Sequence, residues 1–143
     1  MLLSNAEAAF VNKCRMAHLA TSSADASPYV IPICFVYLRR FFYSAIDEKP
    51  KSGVQLRRLR NIRANPRASL IFDSYDEDWT KLAWVLVRGA ASILDDGPEH
   101  DAAVAALRQK YSQYKTMEFV GKPVVRVEPQ KVSSWGTALR DDR

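Results

Sequence analysis

A succession of short segments rich in Val, Ile, Phe, Tyr and Trp restricts the fold of this chain more than any other feature. Residues of these types favour β-strands, and polar or basic turn residues separate the segments. About six strands are predicted, and the first three are typical of an antiparallel meander. The segments are HLATSS, YVIPICFVYL, FFYSAI, RASLIFDSY, LAWVLVRGAASIL and VVRVEPQKVSSWG.

Helical segments are predicted before and between these strands. The first runs from Ser4 to Met16 and has Glu7 in the position of a capping box. A second capping box is predicted at Ser52, and Pro66 would end the helix that follows it. A third helix is predicted for GPEHDAAVAALRQKYSQY, with a proline near its first position. Strands with inserted helices predict an α+β protein built on a small antiparallel barrel.

Length and composition restrict the classes of protein that the chain can belong to. Its 143 residues suit a single domain, residues 1–143, and 48% apolar with 26% charged residues is typical of a globular protein. The apolar runs are shorter than the roughly 20 residues that span a bilayer, so no membrane association is expected. Cys14 and Cys34 lack a CxxC or His cluster, which argues against a disulfide framework or a zinc site. We therefore expect a cytoplasmic protein without a bound metal.

Three residues within the predicted strands have particular structural meaning. Pro32 removes a hydrogen-bond donor from the middle of YVIPICFVYL, which predicts an edge position, a bulge or a kink. A kink there would expose backbone groups to a ligand. Gly89 is a predicted bend or bulge in its long strand. Trp84 lies in a strongly apolar strand and is expected in the core.

The segment KPKSGVQLRRLRNIRANP, residues 49–66, carries much of the net charge of +5. It contains no acidic residue, and its basic residues are Lys49, Lys51, Arg57, Arg58, Arg60 and Arg63. Three interpretations are open: contact with nucleic acid, a solvated helix face, or a site for the phosphate of a cofactor. The segment has no aromatic residue on which a base could stack, so nucleic-acid binding is not expected.

Position along the chain supports the cofactor interpretation of this segment. The sequence YSAIDEKPKS places a serine, two lysines and a capped helix start directly after an apolar strand. Ammonium groups together with the free N–H groups of a helix N-terminus form a favourable site for an anion. A phosphate is the anion that such an arrangement fits best.

Sequence motifs for side-chain catalysis are missing. The chain has no GxSxG, HExxH, GxGxxG or P-loop pattern, and His18 and His100 are its histidines. Cys34 is a conceivable nucleophile, but a cysteine in an apolar strand is usually a small core residue. If the chain is an enzyme, its reactive atoms are expected to belong to a cofactor.

The order of several segments resembles the pyridoxamine 5′-phosphate oxidase-like family, in particular its short flavin- and deazaflavin-dependent branch. The resemblance covers nearly the whole chain. The segments that carry it are LATSSADASPYVIPICFVY, FFYSAIDEKPK, LRNIRANPRASLIFDSYDEDW, WVLVRGAASIL and VSSWG. It implies a split β-barrel that forms a homodimer, with two cofactor sites between the subunits and the cofactor ring against strand backbone.

The resemblance also implies which residues bind the cofactor. The residues that would line the ring are Val30, Pro32 and Ile33. The residues that would hold the phosphate are Ser44, Lys49, Lys51 and Arg57. The residues that would reach the cofactor from the partner subunit are Trp79 and Trp135. For either tryptophan, packing in the core or at the interface is an equal alternative.

The implied function is hydride transfer between a bound cofactor and a small unsaturated or aromatic substrate. The deazaflavin F420 is preferred to FMN, because the extra carboxylates of its tail suit the surplus of Lys and Arg. The family's basic residue and Leu-Leu-Lys run are replaced here by VIPIC, and no basic motif follows Trp135, which argues against activity on pyridoxamine phosphate. The alternatives are an FMN-dependent oxidoreductase and a non-enzymatic carrier of flavin, deazaflavin or haem; haem would need His18 or His100 as an axial ligand.

Overall fold

The computed structural model describes residues 3–46 and 56–140. Within these residues a single antiparallel sheet contains seven strands: β1 (Ala17–Ser22), β2 (Pro28–Ile33), β3 (Val36–Leu38), β4 (Phe41–Ala45), β5 (Arg67–Ser74), β6 (Ala83–Leu94) and β7 (Val124–Gly136). The α-helices are α1 (Asn5–Lys13), α2 (Arg57–Ala64) and α3 (Pro98–Lys110). Short 3₁₀ helices occupy Trp79–Lys81, Ser112–Thr116 and Thr137–Leu139.

The order of the strands requires the sheet to curl. In the order β2-β1-β5-β6-β7-β4-β3, the first and last strands are consecutive in the chain and are separated by only Cys34 and Phe35. Three Cα steps reach at most about 11 Å. Seven strands laid flat would separate the two edge strands by about 29 Å. The edges must therefore approach each other, and the predicted α+β split barrel is confirmed.

The structure has one strand more than the sequence predicts, because YVIPICFVYL divides into β2 and β3. The division falls where Phe35 turns into the barrel, where it is fully buried. Its ring centroid lies 4.9 Å from that of Phe72 and 6.1 Å from that of Phe42. This aromatic cluster fills the point where the two edges of the sheet meet.

The two predicted strand irregularities are found at the expected residues. Pro32 lies in an edge strand, where its missing N–H is tolerated. The pairing of β1 with β2 is continuous from Ala17 opposite Ile33 to Ser22 opposite Pro28, so the strand has no bulge at Pro32. The pairing of β6 with β7 shifts register between Arg88 and Gly89, which confirms the predicted bulge.

The helices cover the sheet at separate places. The capping box of α1 is confirmed: Ser4 Oγ accepts from Glu7 N at 3.1 Å, and Glu7 Oε1 accepts from Ser4 N at 2.8 Å. The other carboxylate oxygen of this buried glutamate accepts from Ser134 Oγ of β7 at 2.5 Å. α3 covers β3, β4 and β7 and forms a second apolar core separate from the barrel interior.

Helix α2 begins at Arg57, and Leu56 occupies its N-cap position without a side-chain cap. The predicted cap at Ser52 lies outside the described residues. The buried side chains of α2 are Arg58, Leu59, Asn61 and Ile62. Among the residues that the structure describes, no helix is long and apolar enough to cross a membrane.

Candidate cofactor site

Side chains alternate along each strand, so the register of the sheet defines one face toward the barrel interior and one away from it. The second face, across β2, β1, β5, β6 and the C-terminal half of β7, is called the outer face here. The buried positions on the opposite side include Leu19, Leu70, Phe72, Val85 and Val87. The outer face therefore carries the following residues: Val30, Pro32, His18, Ala20, Ser69, Ile71, Trp84, Leu86, Arg88, Lys131, Ser133 and Trp135.

Two of the three residues expected to line a ring lie on the outer face. Val30 and Pro32 point outward from β2, and Val30 is 60% exposed although it is apolar. Ile33 is the exception, because its side chain is buried in the barrel core. Within one chain only the backbone of Ile33 can face a ligand on this side of the sheet.

His18 occupies the middle of this part of the outer face. It is exposed, and it stands directly opposite Pro32 of β2 on one side and Ile71 of β5 on the other. From the sequence, His18 was a possible axial ligand of haem near the start of a strand, and its place on the outer face was not predicted. The signal that could have placed it was the alternation in AHLATS, where the outward positions begin with the histidine.

A basic cleft lies at the turn end of the β1–β2 hairpin. The guanidinium of Arg57 is 5.6 Å from the ring centroid of Tyr29, the residue before Val30. The cleft has a volume of about 260 Å³, and its lining residues are Ser23, Ala24, Arg57, Arg60, Asn61 and Ala64. It is called the α2 cleft below. Its two guanidinium groups can hold a phosphate through charge-assisted hydrogen bonds, whereas the Ser23 hydroxyl already donates to Asp25 Oδ1.

Buried amides hold α2 against β1 and so position the α2 cleft. Asn61 Nδ2 donates to Thr21 Oγ1 at 3.1 Å, and Asn65 Nδ2 donates to Ser22 Oγ at 2.9 Å. Both Asn61 and Thr21 are buried. Because an unpaired buried amide is costly, this pair fixes the rotation of the helix and directs Arg57 toward the hairpin.

Of the three further residues proposed for the phosphate, one is described by the structure and lies outside the α2 cleft. Ser44 is buried on β4, with its side chain toward the barrel interior alongside the neighbouring inward residue Phe42. Lys49 and Lys51 lie outside the described residues. Arg57 is thus the one residue of the proposed phosphate group that the structure brings to an open cleft among the residues it describes.

The tryptophans are distributed differently from the sequence expectation. Trp79 is 69% exposed, and Trp135 is 46% exposed. The expectation that Trp84 lies in the core is wrong: it is half-buried on the outer face, directly opposite Trp135. Three strands, β1, β5 and β6, lie between Val30 on β2 and Trp135 on β7, so the path between them along the sheet is about 19 Å. Within one chain the two residues are therefore not expected to contact the same ring.

Three ionisable groups with displaced pKa values, Lys110, Tyr43 and Glu99, lie where α3 meets the sheet, away from the outer face. Burial, followed by the nearby Arg15, lowers the pKa of Lys110 to about 8. Burial and a 2.6 Å hydrogen bond to Glu99 raise the pKa of Tyr43 to about 12. That hydrogen bond, and then Arg126, hold the pKa of the Glu99 carboxyl below its ordinary value. These groups fasten α3 to the sheet, so none of them is a general acid for chemistry on the outer face.

His100 and Cys34, the other two side chains considered reactive from the sequence, are both at least partly buried. His100 is 4% exposed, and its Nε2 donates to the Lys122 carbonyl oxygen at 2.7 Å. An imidazole held in this way is not available as an axial ligand of haem. Cys34 is half-buried in the two-residue connection between β2 and β3.

A curled antiparallel sheet with edges joined by two residues, and with an exposed apolar outer face beside a basic cleft, defines an α+β split-barrel protein. The family is shown by sequence: the family model for pyridoxamine 5′-phosphate oxidase matches residues 3–136. The chain therefore belongs to the pyridoxamine 5′-phosphate oxidase family. A comparison with curated proteins finds no match.

Solved structures with the same fold come from several bacteria. A conserved hypothetical protein of Mycobacterium tuberculosis has a TM-score of 0.76 and 22% identity, over 95% of this chain and 86% of that one. A haem storage protein of Vibrio cholerae has a TM-score of 0.71 and 17% identity, over 95% of both chains. An FAD-binding protein of Mesorhizobium loti has a TM-score of 0.68 and 24% identity, over 92% of this chain and 94% of that one. At these identities the likeness is one of fold.

Proposed function

We propose that the chain is an oxidoreductase that binds a flavin-type cofactor, F420 in preference to FMN, on its outer face. The observation that supports this most is the exposure of Val30 beside Pro32, next to the α2 cleft. A flat apolar ring would cover the two exposed side chains, which removes apolar surface from water. The phosphate of the same molecule would meet Arg57 and Arg60 near the hairpin turn, which ends at Pro28, two residues before Val30.

The division of labour between cofactor and protein follows from the residues at the site. The bound ring would supply hydride transfer to or from a small unsaturated or aromatic substrate. Val30 and Pro32 would orient the ring and exclude water from one of its faces. Arg57, stacked near Tyr29, would neutralise the phosphate. The preference for F420 rests on the surplus of cations around the site, because its tail carries more carboxylates than FMN does.

A homodimer completes this proposal. Val30 and Trp135 lie on strands separated by three others, a path of about 19 Å along the sheet, so we expect a tryptophan to close over the ring only if a second copy supplies it. Trp79 and Trp135 are both exposed, as residues that pack against a partner would be in an isolated chain. Sedimentation of the purified protein should therefore give twice the mass of the chain, and the double variant Trp79→Ala with Trp135→Ala should shift toward the monomer.

Cofactor titration tests the proposed function. The apo protein is titrated separately with F420 and FMN, and the fluorescence of each ring is followed. Arg57→Ala should weaken binding by at least about tenfold, because it removes a charge-assisted contact to phosphate. Lys115→Ala, at an exposed residue far from the outer face, is the control for the loss of one positive charge. Equal affinities in these two variants, or no binding of either cofactor, would contradict the proposal.

A second candidate function is haem binding, which His18 favours. An exposed imidazole between Pro32 and Ile71 could ligate the iron of a haem laid on the same apolar face. Titration with hemin then yields a Soret band that His18→Ala displaces or abolishes. A Soret band that is the same in His18→Ala would exclude His18 as the ligand. Turnover of reduced F420 or FMN with a panel of substrates distinguishes an enzyme from a carrier.

A further inference from the structure

Three cations are placed close together on the outer face without any partner. Arg88 of β6 stands directly opposite Lys131 of β7, and Arg67 of β5 lies on the diagonal from Arg88. Directly opposite side chains on adjacent strands have Cβ atoms about 5 Å apart, and diagonal ones about 7–8 Å. All three side chains are exposed. Within residues 3–46 and 56–140, none of their charged groups makes a hydrogen bond or ion pair with another side chain.

Folding alone does not favour this arrangement. Like charges directly opposite each other in a sheet destabilise it, and here a third cation adds to the repulsion. The carboxylate that the register places nearest is Glu128, opposite Ala90, and it forms no ion pair with any of the three. A site that breaks a local rule without compensation inside the fold is more often a functional one than a structural one.

Two of these cations, Arg67 and Arg88, line a cleft on the sheet face, and Lys131 stands beside it, directly opposite Arg88. The cleft has a volume of about 500 Å³, and its lining residues are Ala20, Thr21, Ser22, Arg67, Ala68, Ser69, Arg88, Gly89 and Gln130. Among the residues that the structure describes, no carboxylate lines this cleft. Two guanidinium groups, hydroxyls and an amide are the donors that a phosphate or carboxylate accepts from. The main chain contributes to the shape, because the bulge at Gly89 interrupts the regular pairing at this place.

The cleft is separate from the α2 cleft but continuous with the proposed ring site. Ala20 lines it and stands directly opposite Val30, and Ser69 links Ala20 to Arg88 in the next strands. A row of side chains thus runs across the sheet from the ring site to the three cations. An anionic group bound there could belong either to a substrate beside the ring or to an extension of the ring molecule.

We propose that this cleft, lined by Arg67 and Arg88 and with Lys131 directly opposite Arg88, binds a small-molecule oxyanion with at least two negative charges. The bound group would be a phosphate or pyrophosphate, or two neighbouring carboxylates. The site is independent of the cofactor phosphate contact at Arg57. Without a bound anion the three cations repel one another. A bound anion reduces this repulsion, so it also stabilises the native state.

Calorimetric titration at constant ionic strength tests this second site, with pyrophosphate and citrate as separate probes on the protein without cofactor. We expect at least one probe to bind, and Arg88→Gln and Lys131→Gln each to weaken it by about tenfold or more. Lys115→Gln, which removes the same charge elsewhere, should leave the affinity within about twofold of the wild type. Pyrophosphate binding alone identifies a phosphate site, and citrate binding alone identifies a carboxylate site.

Two results would overturn the proposal. One is binding of neither probe, and the other is an equal loss of affinity in Arg88→Gln and Lys115→Gln, which would indicate a general effect of net charge. Thermal unfolding gives an independent check, because Arg88→Gln should unfold at a higher temperature than the wild type at low salt without anion. A lower unfolding temperature would show that the cations do not repel each other. Since neither measurement uses a flavin, a failure here is distinguishable from a failure of the proposed cofactor function.

Discussion

Lys110 gives the stability of this protein a pH dependence that can be worked out from its contacts. The side chain is half-buried at the end of α3, where Nζ donates to the Phe35 carbonyl oxygen at 3.0 Å and lies 3.6 Å from the Phe35 ring centroid. Burial, and then repulsion from Arg15, lowers its pKa from 10.5 to about 8. The folded protein therefore binds this proton less tightly than the unfolded chain does.

The sign follows from which state holds the proton. Below pH 8 both states carry the charge, and the folded state bears the full cost of keeping it in a half-buried place. Between pH 8 and 10.5 the unfolded chain still binds the proton while the folded protein has released it, so stability rises with pH across this window. The full shift would correspond to about 3 kcal/mol, and solvent screening at a half-buried group reduces this to about 1.5 kcal/mol.

Urea denaturation at pH 7, 8.5 and 10 measures this contribution in wild type and Lys110→Met. The methionine keeps the apolar contact with Phe35 but cannot titrate. The stability of the wild type relative to the variant should increase by about 1.5 kcal/mol from pH 7 to pH 10, which is about 5 °C in unfolding temperature for a chain of this size. Lys115→Met, at an exposed site, corrects for the titration of other groups. A difference that does not change with pH would refute the assignment of the shift to Lys110.

Three further substitutions test the packing that positions the site. Phe72→Ala empties the centre of the aromatic cluster and should lower the free energy of unfolding by about 3–5 kcal/mol, whereas Phe72→Leu should cost much less. Asn61→Ala leaves the buried Thr21 hydroxyl without its donor and should cost about 1–3 kcal/mol; the double variant with Thr21→Val should recover part of that loss, and further destabilisation would contradict the pairing. Gly89→Ala would bring a Cβ against the Glu128 carbonyl oxygen, so faster amide exchange along β7 is expected, and unchanged exchange would show that the bulge can adjust.

The parts of the fold that depend on local rules could be predicted from the sequence. The capping box at Ser4 and Glu7, the proline at the start of α3 and the bulge at Gly89 each follow from the chemistry of a few neighbouring residues. The break between β2 and β3 could not be predicted, because neither Cys34 nor Phe35 is a turn residue. It exists because the aromatic cluster draws Phe35 inward, which depends on residues distant in the chain.

In the candidate site, too, some residues could be placed from the sequence and others could not. Val30 and Pro32 lie on the exposed face, and Arg57 lies in an open cleft, as expected of residues that meet a ligand. Trp84 was misplaced because β6 is apolar on both faces, so that hydrophobicity alone does not distinguish inward from outward positions. The register of the sheet decides these cases, and a single sequence does not determine it.

The join between the two edges of the sheet affects the order in which the molecule can be assembled. β4 pairs with β7, so Phe42 meets Val127 across a large part of the chain, while the hairpin of β1 and β2 forms from neighbouring residues. During synthesis on the ribosome, β3 and β4 emerge early but lack their neighbour until the C-terminal strand has left the exit tunnel. Closure of the sheet therefore waits until β7 has emerged, and a nascent chain that ends before β7 would present an unpaired strand to chaperones.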